Sequence, residues 1–201
     1  VGESSIEDAT EKLTTLTPHD NDWWLKYVIT ANKLGNADFL YGTGVAHTTG
    51  LARVQVQTRA GESVSADVPA FDQALMPPMI PVYQGLLPLY RLHPEKHYWA
   101  TLIDNGGTIY FQYNSCSEDP KQPSQEFFAQ LEEAMASETV RRLIVDLRNN
   151  SGGTTTILNP WIERLQWTRF NQPGRLYVIV GRATYSAAME AANRFRDQTV
   201  A

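Results

Sequence analysis

Ser186 stands where a short turn, Gly181-Arg-Ala-Thr-Tyr185, runs into a helical stretch rich in small residues. A hydroxyl at that position lies beside the free N–H groups that open a helix, and the N–H of Ala187 can face an oxyanion. Ala187 and Ala188 leave room for a substrate backbone. A serine at the start of a helix is more often an N-cap, so Ser186 alone specifies no chemistry. A second junction of the same kind lies upstream. In Arg142-Leu-Ile-Val-Asp-Leu-Arg-Asn-Asn-Ser-Gly-Gly153, an apolar run with one carboxylate leads into Gly152-Gly153 and then Thr154, Thr155 and Thr156. Two adjacent glycines permit close approach to the backbone, and a following threonine can cap a helix. The expected product is a strand, a glycine turn and a helix N-terminus with N–H groups suited to an anion. If the two strands are neighbours, both turns open at one sheet edge, where α/β sites form. One turn then supplies a nucleophile and an N–H, and the other supplies a second N–H.

The remaining reactive side chains form no comparable pair. Cys116 is the sole cysteine, which excludes an internal disulfide, and nothing near it in sequence lowers its pKa. His93 and His97 are spaced for chelation on a helix, but Pro94 interrupts that helix and no third ligand is evident, so no metal site is expected. His47 lies in the glycine-rich stretch Tyr41–Gly50 and reads as a surface histidine. Gly42 and Gly44 are not a dinucleotide fingerprint, because no buried strand precedes them and no third glycine follows in place. No cofactor is expected.

The elements that must position Ser186 and the glycines begin near residue 98. Residues 98–103 and 108–113 read as strands around the hairpin turn Asp104-Asn-Gly-Gly107. Ser124 to Ala136 has helical spacing with Phe127, Phe128, Leu131 and Met135 inward. A strand at 142–148, buried on both faces, leads to a helix from about Thr155 to Phe170. A second fully buried strand follows at 176–180, then a helix over 186–195. The order β-β-α-β-α-β-α implies a layered α/β core in which strands 143–147 and 176–180 are adjacent and parallel.

Upstream, residues 4–35 read as helical, with Ser5 starting one helix, Pro18 breaking it, and Asp20 or Asp22 capping a second through Trp23 and Tyr27. The paired tryptophans read as a buried face. Residues 53–59 and 63–68 alternate around Ala60-Gly-Glu62 as a β-hairpin. The proline-rich residues 69–96, including Pro77-Pro78 and Pro81, read as an irregular connector. The chain therefore divides into an N-terminal unit of helices, hairpin and connector (1–90) and an α/β core (91–201).

Composition sets the outer limits. With 201 residues, 42% hydrophobic and 19% charged, the chain can bury a sizeable core. A net charge of −5 without a Lys/Arg block disfavours nucleic acid. No apolar run reaches the length of a membrane span. The N-terminus shows no positively charged region before an apolar core, so no signal peptide is visible. Lacking an initiator methionine, the chain reads as a processed or excised piece. Nothing in the composition fixes an oligomeric state.

Leu143-Ile-Val-Asp-Leu-Arg-Asn-Asn-Ser-Gly-Gly153 resembles the Asp-Leu-Arg-Asn-Asn-x-Gly-Gly signature of the tail-specific (C-terminal-processing) serine peptidases. Gly181-Arg-Ala-Thr-Tyr-Ser-Ala-Ala188 resembles the nucleophile segment of that family, and Tyr110 to Asn114 the strand before the first motif. The resemblance covers about residues 98–196; within residues 1–90 the family's usual PDZ domain is not recognisable. It implies a crotonase/Clp-protease-like fold of repeated β-β-α units. It also implies Ser186 as nucleophile, with an oxyanion hole from the amide of Ala187 and one amide of Gly152 or Gly153. The implied partner is a peptide or unfolded protein substrate, and the implied location is extracytoplasmic. The family's general base, usually a lysine after the serine, has no counterpart: every lysine and histidine precedes Ser186. Met189 also stands where the family often has glutamate. The chain is therefore expected to be a fragment that lacks its base. The family also includes retinoid-binding modules, so a peptide- or apolar-ligand-binding relative without catalysis is the alternative.

Overall fold

The structure is a computed structural model that describes residues 4–19, 21–69 and 85–201. It divides into two compact units, Val1–Gln84 and Gly85–Ala201.

In the first unit, α1 (Ile6–Thr14) is capped by Ser5, whose Oγ accepts from the Asp8 N–H at 3.0 Å. Ala9 and Leu13, one helical turn apart, bury completely among Ile29, Leu40, Val45 and Ala46. Helix α2 (Asp22–Val28) is capped by Asn21, whose Oδ1 accepts from the Trp24 N–H at 2.9 Å. Asn21 thus takes the role the sequence offered to Asp20 or Asp22: Asp22 is already helical, and Asp20 lies outside the described residues. A π-turn over Ile29–Lys33 continues the helix. Asn36 then caps a third helix, α3 (Ala37–Gly42), which occupies the start of the expected glycine-rich loop. Trp23 corrects the expectation of a buried tryptophan pair. It is 63% exposed, with the Lys26 ammonium 5.4 Å from its ring centroid. Strands β1 (Leu51–Gln57) and β2 (Ser63–Pro69) form the expected antiparallel hairpin, and Arg53 and Asp67 face each other as a bidentate pair. His47 is exposed. Of the proline-rich stretch, residues 70–84 lie outside the described residues.

The second unit is built on a four-stranded sheet in the order β3-β4-β5-β6, comprising Tyr98–Ile103, Thr108–Tyr113, Arg142–Asp146 and Leu176–Ile179. Strands β3 and β4 are antiparallel across the Asp104–Gly107 turn, where Asp104, Asn105 and Gly106 all take positive φ. Asp and Asn tolerate that conformation better than other residues with side chains. Strand β4 pairs parallel with β5, and β5 with β6, so the two apolar runs of the sequence are parallel neighbours.

Helices α4 (Ser124–Ala136) and α5 (Asn159–Leu165) supply the two parallel crossovers, α6 (Ala187–Gln198) follows β6, and all three cover the sheet. The core holds Phe111, Leu143 and Val145 from the strands. Against them pack Phe127 and Phe128 from α4, Trp161 from α5, and Ala188 and Phe195 from α6. The Trp161 ring touches those of Phe111, Phe128 and Phe195, which ties all three helices to β4. Because side chains alternate along a strand, the residues between these core positions point to the other face. There Trp99, Gln112 and Asp146 form one cross-strand row, all buried.

Two expectations need correction. Helix α5 does not run from 155 to 170: turns occupy 155–158, and Pro160 sits in the first helical turn, where its missing N–H costs nothing. Consequently no helix begins at the Gly152-Gly153 turn. Strand β6 is not fully buried either. It is an outer strand of the described sheet, with Tyr177 45% and the following Val180 55% exposed.

Candidate active site

The loop after β5 is held from below by Asp146. This carboxylate is completely buried and accepts from Tyr110 Oη at 2.7 Å and from the Arg148 N–H at 3.0 Å. The Arg148 guanidinium reaches back to it, with Nη2 2.5 Å from Oδ2, and covers the Tyr90 ring at 4.0 Å. Burial, followed by the bond to Asp146, pushes the Tyr110 phenol well above its ordinary range, so it remains a donor. Arg148 has a second contact: a Cβ on Gly181 would lie 3.1 Å from its Cγ, so the β6–α6 turn begins directly against its stem. Thr184 closes that turn. Its hydroxyl donates to Leu147 O at 2.8 Å and accepts from the Gly181 N–H at 2.9 Å.

Ser186 follows with φ 53° and ψ −127°. A side chain in that region of φ/ψ space is strained by about 1–3 kcal/mol and persists only where its surroundings hold it. Ser186 lies directly before α6, at the end of the turn that follows β6, and it is exposed. It makes no side-chain cap to α6, which removes the ordinary explanation of a serine at this position. Among the described residues, neither its Oγ nor the N–H of Ala187 has a hydrogen-bond partner.

The glycine turn packs against this serine. Gly152 has φ 113°, and a Cβ there would lie 2.7 Å from Ser186 Cβ, so only glycine fits. Gly153 has φ 136° and bridges to Cys116 in the parallel sense. The two glycine amides differ. That of Gly152 donates to Asn150 Oδ1 at 2.9 Å, whereas that of Gly153 has no partner among the described residues. The sequence left both amides open as donors; the geometry leaves one. The structure therefore sets Gly152 against Ser186, with Gly153 and Ala187 next to them in the chain, and among the described residues the N–H groups of Ala187 and Gly153 have no partner.

No family model matches the chain, and no curated protein is similar to it in sequence. Among solved structures, the chain is similar to the crystal structure of a "putative peptidase" from Parabacteroides merdae ATCC 43184 at 14% identity with a TM-score of 0.39. The match covers 51% of this chain and 40% of that one.

Other candidates are occupied elsewhere. His97 Nδ1 lies 3.0 Å from Ser117 O, and the His93 ring meets the Trp99 ring edge-on at 5.1 Å. Cys116 is buried, its thiol pushed above its ordinary pKa by desolvation. Among the described residues, no cluster of three or more His, Cys, Asp or Glu could hold a metal ion, and no helix is long and apolar enough to cross a membrane. Grooves of about 490, 380 and 330 Å³ open along α4 and α5, and Ser186 lines none of them.

Sequence reasoning passed over Asp146, Asn150 and Thr184 as site residues. The one available signal was a lone carboxylate in an apolar run, since a buried charge requires partners. Replacing Asp146 with Asn is expected to cost about 2 kcal/mol, because the bonds it accepts from Arg148 are charge-assisted. Urea unfolding of Asp146→Asn checks this; a midpoint unchanged from the parent protein would show that the ion pair does not hold the loop.

Proposed function

We propose that this chain forms the nucleophile-bearing part of a serine-type peptidase of the tail-specific kind, on a crotonase/Clp-protease-like core. One observation carries the reading: Ser186 is strained, exposed and not used as a cap, and it stands beside the Gly152-Gly153 turn and next to Ala187, whose N–H has no partner among the described residues. In this reading Ser186 Oγ attacks a peptide carbonyl carbon. The Oγ–C bond forms, the carbonyl electron pair moves to oxygen, and the Ala187 and Gly153 amides stabilise that oxyanion. Collapse breaks the C–N bond, the amine leaves with the proton taken from Oγ, and an ester remains for water to hydrolyse. The hydroxyl proton needs a base, and none among the described residues is bonded to Ser186. Gly152 contributes contact rather than an amide. The substrate is a peptide or unfolded protein segment, and the exported location follows from the family resemblance alone.

That missing base is also the observation that favours a second reading, a relative that holds a peptide or apolar ligand at the same turn pair without cleaving it. A fluorophosphonate, whose fluoride is displaced by an activated serine, separates the two. The peptidase reading expects slow labelling confined to Ser186, located by peptide mass spectrometry and absent in Ser186→Ala. Labelling spread over other serines at equal rates, or none at Ser186, would leave the binding module as the function.

A further inference from the structure

Asn150 is completely buried, and every polar group of the residue is engaged. Its Nδ2 donates to Tyr113 O at 3.0 Å. Its Oδ1 accepts from the Gly152 N–H at 2.9 Å and from Cys116 Sγ at 3.4 Å. On the main chain, its N–H donates to Leu147 O and its carbonyl accepts from the Tyr185 N–H, both at 3.1 Å. One residue thereby joins the end of β4, the glycine turn and the residue before Ser186.

Its effect on the two glycine amides is asymmetric. The Gly152 N–H is drawn into the protein by Oδ1. The Gly152 carbonyl accepts from the Cys116 N–H at 3.0 Å, and the Thr154 N–H donates to Cys116 O at 2.7 Å. In such a bridge, successive N–H groups point to opposite sides. The Gly153 N–H is therefore directed away from Cys116, toward the side of the β5 loop on which β6 and its turn lie. That is where Gly152 meets Ser186.

We propose that Asn150 is a positioning residue that selects the Gly153 amide over that of Gly152 for presentation beside Ser186, while its carbonyl steadies the strained serine turn through Tyr185. The selection stands on hydrogen-bond geometry; what the selected amide does rests on the reading of Ser186 as a nucleophile. The two parts have separate readouts. The first is residue-resolved amide exchange on the full ¹⁵N-labelled chain, where Gly152 should exchange at least about tenfold more slowly than Gly153, as one intact hydrogen bond implies. In Asn150→Ala, Gly152 loses that protection.

The second readout is the rate of fluorophosphonate labelling at Ser186 in protein confirmed folded by near-UV circular dichroism. Asn150→Ala should lower it on the order of 10²-fold, the cost of a displaced oxyanion donor. Asn150→Asp at mildly acidic pH should restore most of it, since a neutral carboxyl both accepts from Gly152 and donates to Tyr113 O. A purely structural role predicts lower stability in both variants and an unchanged labelling rate in the folded protein. If Asn150→Ala does not fold, Asn150→Asp and the wild-type exchange pattern carry the test. Equal exchange at Gly152 and Gly153 in the wild type, or near-wild-type labelling of folded Asn150→Ala, overturns the proposal. Absence of labelling in the wild type would remove the nucleophile reading, leaving amide exchange to decide the selection.

Discussion

Gly153→Ala is expected to destabilise the second unit by about 4 kcal/mol, combining backbone strain of roughly 1–3 kcal/mol with overpacking of similar size. At φ 136° the residue occupies a conformation that L side chains rarely adopt, and an added Cβ would lie 2.3 Å from Cys116 O and 2.7 Å from Cys116 C. Neither obstacle can swing aside, because both are backbone. Cys116 is clamped by its own N–H on Gly152 O and by Thr154 N–H on its carbonyl. Relief therefore requires opening the bridge itself, and with it the β4 end that Asn150 holds through Tyr113. Gly174→Ala is the matched control. Its φ is 78°, but the nearest atom to an added Cβ is the Tyr177 hydroxyl at 3.9 Å, so strain acts there without overlap and about 1 kcal/mol is expected. Because Cys116 is the sole cysteine and lies in the core of the second unit, its reaction with a thiol reagent along a urea series reports that unit separately. Midpoints for the two variants that coincide would sink the steric argument. A domain holds only about 5–15 kcal/mol in total, so the larger loss is expected to show first as poor recovery of folded protein.

The contrast between these two glycines marks where the sequence was legible. The order of strands and helices after residue 98 could be read because each element carries its own period. Leu143 and Val145 are core residues, and Phe127, Phe128, Leu131 and Met135 line one side of a helix. Parallel pairing of β5 with β6 followed from crossovers long enough to hold a helix. What failed depended on neighbours distant in sequence. Strand β6 reads as apolar throughout, yet an edge position leaves Tyr177 and Val180 in solvent. The threonines after Gly153 carry helix-capping chemistry, but the bridge to Cys116 holds that segment away from helical geometry and Pro160 sets the later start. Ser186 and the glycines were visible as residue types. Which glycine N–H is left unpaired was not, because it is decided by an asparagine side chain whose partners lie on separate segments. The tryptophan pair failed for a local reason: consecutive residues of a helix point about 100° apart, so Trp23 and Trp24 cannot share one face, and Trp23 is the one left in solvent.

The other large effect is on rate, and it follows from what Ser186 lacks. Among the described residues its hydroxyl has no hydrogen-bond partner, and a protonated serine is a weak nucleophile near neutral pH. A positioned base contributes on the order of 10²–10⁴ to such a step. Without one, only substrate binding and oxyanion stabilisation remain, which support weak catalysis in serine hydrolases stripped of triad members. The 201-residue chain is therefore expected to cleave an unstructured fluorogenic peptide barely above background, with Ser186→Ala changing that rate little. Imidazole at high concentration supplies a base from solution. It should raise turnover by the protein with Ser186 and leave the Ser186→Ala variant at background, because the added base has no hydroxyl to deprotonate there. A ligand-binding module gives no imidazole response in either protein. Rapid cleavage without imidazole that disappears in Ser186→Ala would refute the expectation. It would mean that a base already reaches Ser186, with His47, His93 and His97 the first residues to replace.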